Sequence, residues 1–137
     1  MSKTCVIVGY GPGIGAACAR RWSQGGYAVA LVARTAEKVL AAAKDLPRSK
    51  GYACDVTDAN KLTATLEVIA ADLGPIDTLI YNAGVGTWKP YDQITVDQLD
   101  MSLKTNVYGL LTATQYCIPK MEAKGSGFVI VTGASVC

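Results

Sequence analysis

The chain has 137 residues, half of them hydrophobic, with 13 Lys plus Arg against 11 Asp plus Glu and no histidine. That length suits one domain with a sizeable core, and a net charge of +2 gives no basic stripe for nucleic acid, so small-molecule chemistry is expected. Without histidine there is no imidazole ligand and no Ser-His or Cys-His pair. The five cysteines (Cys5, Cys18, Cys54, Cys117, Cys137) lack any Cys-x-x-Cys spacing, so neither a metal site nor a disulfide framework is indicated.

In chain order, residues 5–8 form an apolar run of strand length. Gly9-Tyr10-Gly11-Pro12-Gly13-Ile14-Gly15 follows and leads into a helical pattern from Ala16. A strand, a glycine-rich turn and a helix N-terminus together form an anion site: glycine lets the backbone approach a pyrophosphate, and unpaired N–H groups face it. A turn needing positive φ accounts for the same glycines without a ligand. Further strand runs lie at 29–33, 51–54, 78–81 and 128–131, separated by segments with helical spacing. Thr57 or Asp58 can cap a helix over 59–73 that ends at Gly74-Pro75, and Thr95 can cap one from Val96 onwards. Short apolar strands alternating with helices predict an α/β fold, an open, Rossmann-like, doubly wound parallel sheet of five strands with flanking helices in a single domain, 1–137. No apolar run approaches the ~18 residues of a membrane span, and no leader-like segment is visible. A soluble, cytoplasmic protein without membrane contact is therefore expected.

The glycine spacing is Gly9-x-x-x-Gly13-x-Gly15 and does not meet Gly-x-Gly-x-x-Gly; a Gly-Lys-[Ser/Thr] ending is also missing. A methyltransferase-like reading of the turn lacks its acids, since Ile7-Val8 and Ala33-Arg34 stand at those places. Asp55-Val56 after the third strand, Asn82-Ala83-Gly84 after the fourth, and Asn106 within Lys104-Thr105-Asn106-Val107-Tyr108-Gly109 complete an ordered set. With these motifs the chain resembles the short-chain dehydrogenase/reductase family over essentially its whole length.

The resemblance implies a nicotinamide dinucleotide held by Gly9, Gly13, Ile14, Gly15, Arg34, Asp55, Val56, Asn82, Ala83 and Gly84. Asp55 would meet the adenine amino group, or simply cap a loop. Asn106 would lie at an irregularity in a long helix and take part in a proton relay; without the resemblance it reads as an N-cap. About 20 residues beyond the glycines, where an acid would take the ribose hydroxyls of NAD, the chain reads Val32-Ala33-Arg34-Thr35. A guanidinium there suits the 2′-phosphate of NADP, with Lys38 nearby and Glu37 as a competing partner, so NADP is expected over NAD.

Carbonyl reduction needs hydride from the cofactor and a proton from a placed acid. The family's acid is the Tyr of a Tyr-x-x-x-Lys motif after the fifth strand, and Cys137 precedes that helix, so the chain reads as truncated with its C-terminal strands missing. Tyr116-x-x-x-Lys120 has the spacing but precedes the fifth strand, and Pro119 predicts a kink or break there. For the family's serine, ungapped alignment falls on Ala134, and Ser135 is the candidate one residue later; Thr132 is still in the strand. An uncovered apolar edge at 128–131 is expected. The readings weighed are an NADP(H)-preferring oxidoreductase acting on a carbonyl or alcohol, a non-catalytic NADP(H)-binding module, and, weakly, a methyltransferase-like binder. A homo-oligomer would have an incomplete interface. Trp88 and Tyr91 line the substrate pocket's near wall or pack the loop.

Overall fold

A computed structural model describes residues 3–133. Its order is β1 (Thr4–Val8), α1 (Ile14–Gln24), β2 (Ala28–Ala33), α2 (Ala36–Ala43), β3 (Ser49–Ala53), α3 (Ala59–Leu73), β4 (Ile76–Tyr81), a 3-10 turn (Tyr91–Gln93), α4 (Val96–Leu103), a π-helical segment (Lys104–Tyr108), α5 (Gly109–Lys124) and β5 (Phe128–Val131). The five strands form one parallel sheet in the order β3-β2-β1-β4-β5. The expected doubly wound fold is therefore present. The chain winds outward from β1 to β3, then crosses to β4 on the other side of β1, which creates a switch point at the carboxyl ends of β1 and β4.

Strand alternation divides the core between the two faces. Cys5, Ile7, Val29, Leu31 and Ile80 pack with Ala19 of α1 and Val39 of α2. Val6, Val8, Val32, Leu79 and Tyr81 pack with Leu62, Leu66 and Ile69 of α3 and Ala113, Cys117 and Met121 of α5. Because β1 is central and covered on both faces, all five of its residues are buried, which is why it reads as continuous hydrophobicity.

Local chemistry sets the α3 boundaries and the start of α4 as predicted, while β4 begins at Ile76, two residues before the expected 78. Asp58, not Thr57, caps α3 by accepting from the Lys61 N–H at 3.1 Å, and Gly74 ends the helix at φ 107°. Thr95 and Gln98 form a reciprocal capping box on α4. Three further expectations are corrected. The third strand begins at Ser49 and ends at Ala53, because pairing with β2 (Val29 with Ser49, Ala33 with Ala53) sets its register and an edge strand tolerates polar residues. The helix runs through Pro119 unbroken: Pro119 and Gln115, whose carbonyl loses its partner, are both exposed, so water can meet that group. Asn106 is not an N-cap, since helix continues on both sides of it. Among the described residues β5 is the other sheet edge, with Phe128, Ile130 and Val131 exposed, as expected.

Burial pushes the thiols of Cys5 and Cys54 up and that of Cys117 to about 12. Since the thiolate is the reacting form, iodoacetamide at pH 8 is expected to spare these three in the native protein and modify them after unfolding. Peptide mass mapping checks this, and rapid native labelling would contradict the packing.

Candidate functional site

The carboxyl ends of β1, β2, β3 and β4 open onto a cleft of about 290 Å³ lined by Gly9, Tyr10, Val32, Ala33, Arg34, Thr35, Lys38, Cys54, Asp55, Val56, Thr57, Asn82, Ala83, Gly84, Val85, Met101 and Thr105. Seven of the ten residues expected to hold a cofactor meet there: Gly9, Arg34, Asp55, Val56, Asn82, Ala83 and Gly84. Gly13, Ile14 and Gly15 lie beside it, at the entry to α1.

The glycines do different work. Gly9 has φ 90°, and a Cβ on it would meet the Ala83 nitrogen at 2.3 Å, so the turn and the end of β4 pack backbone to backbone. At Gly15 a Cβ would come within 3.1 Å of the Tyr10 Cα, a tight approach of helix to turn. At Gly11 and Gly13 a Cβ would meet nothing within 4 Å. The Gly9 and Tyr10 N–H groups donate to the Val32 carbonyl, at 2.9 and 2.8 Å. Among the described residues, the N–H groups of Gly13, Ile14 and Gly15 have no acceptor, α1 has no side-chain cap and its first turn carries no acid. Its positive end is left open beside the cleft.

On the β2 rim, Arg34 is exposed and forms no ion pair among the described residues, so Glu37 does not neutralise it. Thr35 and Lys38 stand with it at the entry to α2. Asp55 closes a loop, its Oδ1 accepting from the Thr57 N–H at 3.0 Å and hydroxyl at 2.8 Å, and it lines the cleft. Those two bonds, backbone first, hold its carboxyl below the usual range, and the Arg34 charge adds to them, so it remains an acceptor throughout neutral pH.

Asn82 ties three elements together. Its Nδ2 donates to the Gly9 carbonyl at 3.0 Å, its backbone N–H to the Val8 carbonyl at 2.8 Å, and its Oδ1 accepts from the Thr132 hydroxyl at 2.6 Å. Thr132 is thereby engaged in bracing the site. Replacing Asn82 by Ala leaves the Gly9 carbonyl without its side-chain donor and the Thr132 hydroxyl with only the Tyr81 carbonyl at 3.4 Å, and is expected to cost ~2 kcal/mol, against ~1 kcal/mol for Thr132→Val. Urea unfolding of both variants measures this; equal effects would contradict the asymmetry.

Asn106 sits in the π-helical segment, the irregularity its motif implied. Its side chain grips Val85, Oδ1 accepting from the N–H at 3.1 Å and Nδ2 donating to the carbonyl at 2.7 Å. Ser135 and Ala134 lie outside the described residues. Trp88 and Tyr91 are 80% and 92% exposed and do not line the cleft. Tyr116 and Lys120 lie at the opposite end of the sheet, beside Pro75 and Ile76, with the ammonium 4.0 Å from the ring centroid. Sequence reasoning missed Thr57, Val85, Met101 and Thr105; the last two become visible only once the α4 end folds over the cleft.

Residues 3–137 match the family model described as short chain dehydrogenase, and the chain belongs to that family. Oxidoreductase asL5 of Sarocladium schorii is 37% identical over 134 residues, covering 97% of this chain and 54% of that protein. D-threitol dehydrogenase of Mycolicibacterium smegmatis is 32% identical, covering 93% and 51%. An alcohol dehydrogenase from the archaeon Thermococcus sibiricus, solved in complex with 5-hydroxy-NADP, superposes with a TM-score of 0.89 at 25% identity, covering 96% of this chain and 57% of the other. The chain spans about half the length of the curated relatives it matches. Among the described residues no helix is long and apolar enough to cross a membrane.

Proposed function

We propose that the chain forms the cofactor-binding part of an NADP(H)-preferring oxidoreductase acting on a carbonyl or alcohol substrate. One juxtaposition carries the reading: an open α1 N-terminus, whose Gly13, Ile14 and Gly15 N–H groups are unpaired among the described residues, stands beside a cleft whose β2 rim bears Arg34 and Lys38. Those N–H groups suit a pyrophosphate, and the open backbone at Gly11 and Gly13 leaves room for its oxygens. Arg34 suits a 2′-phosphate, as a planar donor that forms no ion pair among the described residues. Asp55 and Val56 suit the adenine, and Asn82, Ala83 and Gly84 the close passage of backbone beneath the cofactor.

The bound nicotinamide would exchange hydride with the substrate. Asn106 is assigned to the substrate side through its place in the π-turn, and Ser135 to holding the substrate oxygen. The Tyr-x-x-x-Lys at Tyr116 is set aside as the proton donor because it faces away from the cleft. The Thermococcus sibiricus complex with 5-hydroxy-NADP supports the cofactor reading, and the D-threitol dehydrogenase relative supports a small alcohol or carbonyl as substrate.

Titration of the purified chain with NADPH and NADH, followed by nicotinamide fluorescence, tests this. Tighter binding of NADPH is expected; equal binding sinks the preference, and binding of neither sinks the reading.

A further inference from the structure

Tyr81 is the one aromatic residue of β4 and ends it after Leu79 and Ile80; it is only 2% exposed, and its hydroxyl leaves the sheet to donate to the Thr105 carbonyl at 2.5 Å. An α-helical turn would give that carbonyl to the Gly109 N–H. Here the Gly109 N–H reaches back to Lys104 instead, the five-residue step of a π-turn, and the released Thr105 carbonyl is taken by Tyr81. Gly109 makes room for the arrangement, since a Cβ on it would lie 2.2 Å from the Tyr81 hydroxyl oxygen.

We propose that Tyr81 is a positioning residue: its hydroxyl holds the helix in π register, and so sets Asn106 where both amide atoms grip Val85 and fix that wall of the cleft. The consequence for cofactor binding rests on the function proposed above; the structural claim does not. Three observations converge on it. The hydroxyl occupies the very carbonyl that the π step frees. Thr105, which carries that carbonyl, lines the cleft together with Val85 and Gly84. A Cβ on Gly84 would come within 2.9 Å of the Asn106 Oδ1, so the loop is seated directly against the side chain that the π-turn presents. Burial pushes the Tyr81 hydroxyl up to about 12, which keeps it a donor at neutral pH.

The test follows the Asn106 side-chain amide pair by ¹H–¹⁵N NMR in the full chain, alongside NADPH affinity. Tyr81→Phe is expected to move that pair and the Gly109 amide, to speed their exchange with water, and to weaken NADPH binding about tenfold, the effect of one well-formed hydrogen bond. Gly109→Ala, which drives a methyl into the hydroxyl, is expected to disturb the same signals. An unchanged Asn106 pair in Tyr81→Phe, with NADPH affinity within twofold of the parent, overturns the assignment. If the parent chain does not bind NADPH, the cofactor reading fails, and the Asn106 and Gly109 signals still decide the role of Tyr81.

Discussion

Gly9→Ala is expected to destabilise the chain by at least ~3 kcal/mol, a large part of the ~5–15 kcal/mol that holds a domain together. Two penalties add. Gly9 has φ 90°, which for a residue with a side chain costs on the order of 1–2 kcal/mol by itself. The new methyl would also point at backbone, 2.3 Å from the Ala83 nitrogen and 2.5 Å from its Cα, where no flexible side chain can yield. Relief would require β1 and β4 to separate at their carboxyl ends, breaking the bonds from Asn82 to Val8 and Gly9. Circular dichroism during urea unfolding, or loss of soluble protein on expression, reads the effect. A Gly9→Ala chain as stable as its parent would mean that the two strand ends do not meet as described.

Arg34→Asp is expected to weaken NADPH binding by roughly 10- to 100-fold, the equivalent of losing charge-assisted hydrogen bonds worth ~1.5–3 kcal/mol, while NADH binding holds or improves. The substitution removes a guanidinium that has no intramolecular partner among the described residues and places a carboxylate where ribose hydroxyls can be accepted. It also sets a second negative charge near Asp55, whose carboxyl is held down partly by Arg34. Because Arg34 is exposed, folding should be little affected, which separates this result from that of Gly9→Ala. Competition titrations with both cofactors measure it, and an unchanged ratio of affinities would remove Arg34 from the site.

Much of this was legible in the sequence where the cause is local. Asp58 and Thr95 act on N–H groups three residues away, so their caps follow from spacing alone. β1, β2 and β4 are marked by hydrophobicity because they are buried, whereas Ser49 and Lys50 enter β3 only through pairing with β2, 20 residues upstream. The same distance in sequence hides the bracing of the site. Nothing near Thr132 signals that its hydroxyl serves Asn82, 50 residues earlier, and nothing near Tyr81 signals that it meets a helical carbonyl 24 residues later. The irregularity at Asn106 came from family resemblance; its physical basis, a carbonyl released to Tyr81, became visible only in the fold. Pro119 misled because the rule against proline within helices weakens where the orphaned carbonyl faces water.

The central claim is that the open end of α1 and the β2 rim together hold a dinucleotide. Backbone amide chemical-shift mapping of the chain during titration with NADP⁺ tests it most directly. The account predicts saturable shifts at Gly13, Ile14 and Gly15, with Arg34, Asp55 and Gly84 following the same binding curve. Shifts confined to the opposite end of the sheet, around Ile76 and Lys120, or no saturable shifts at all, would contradict it.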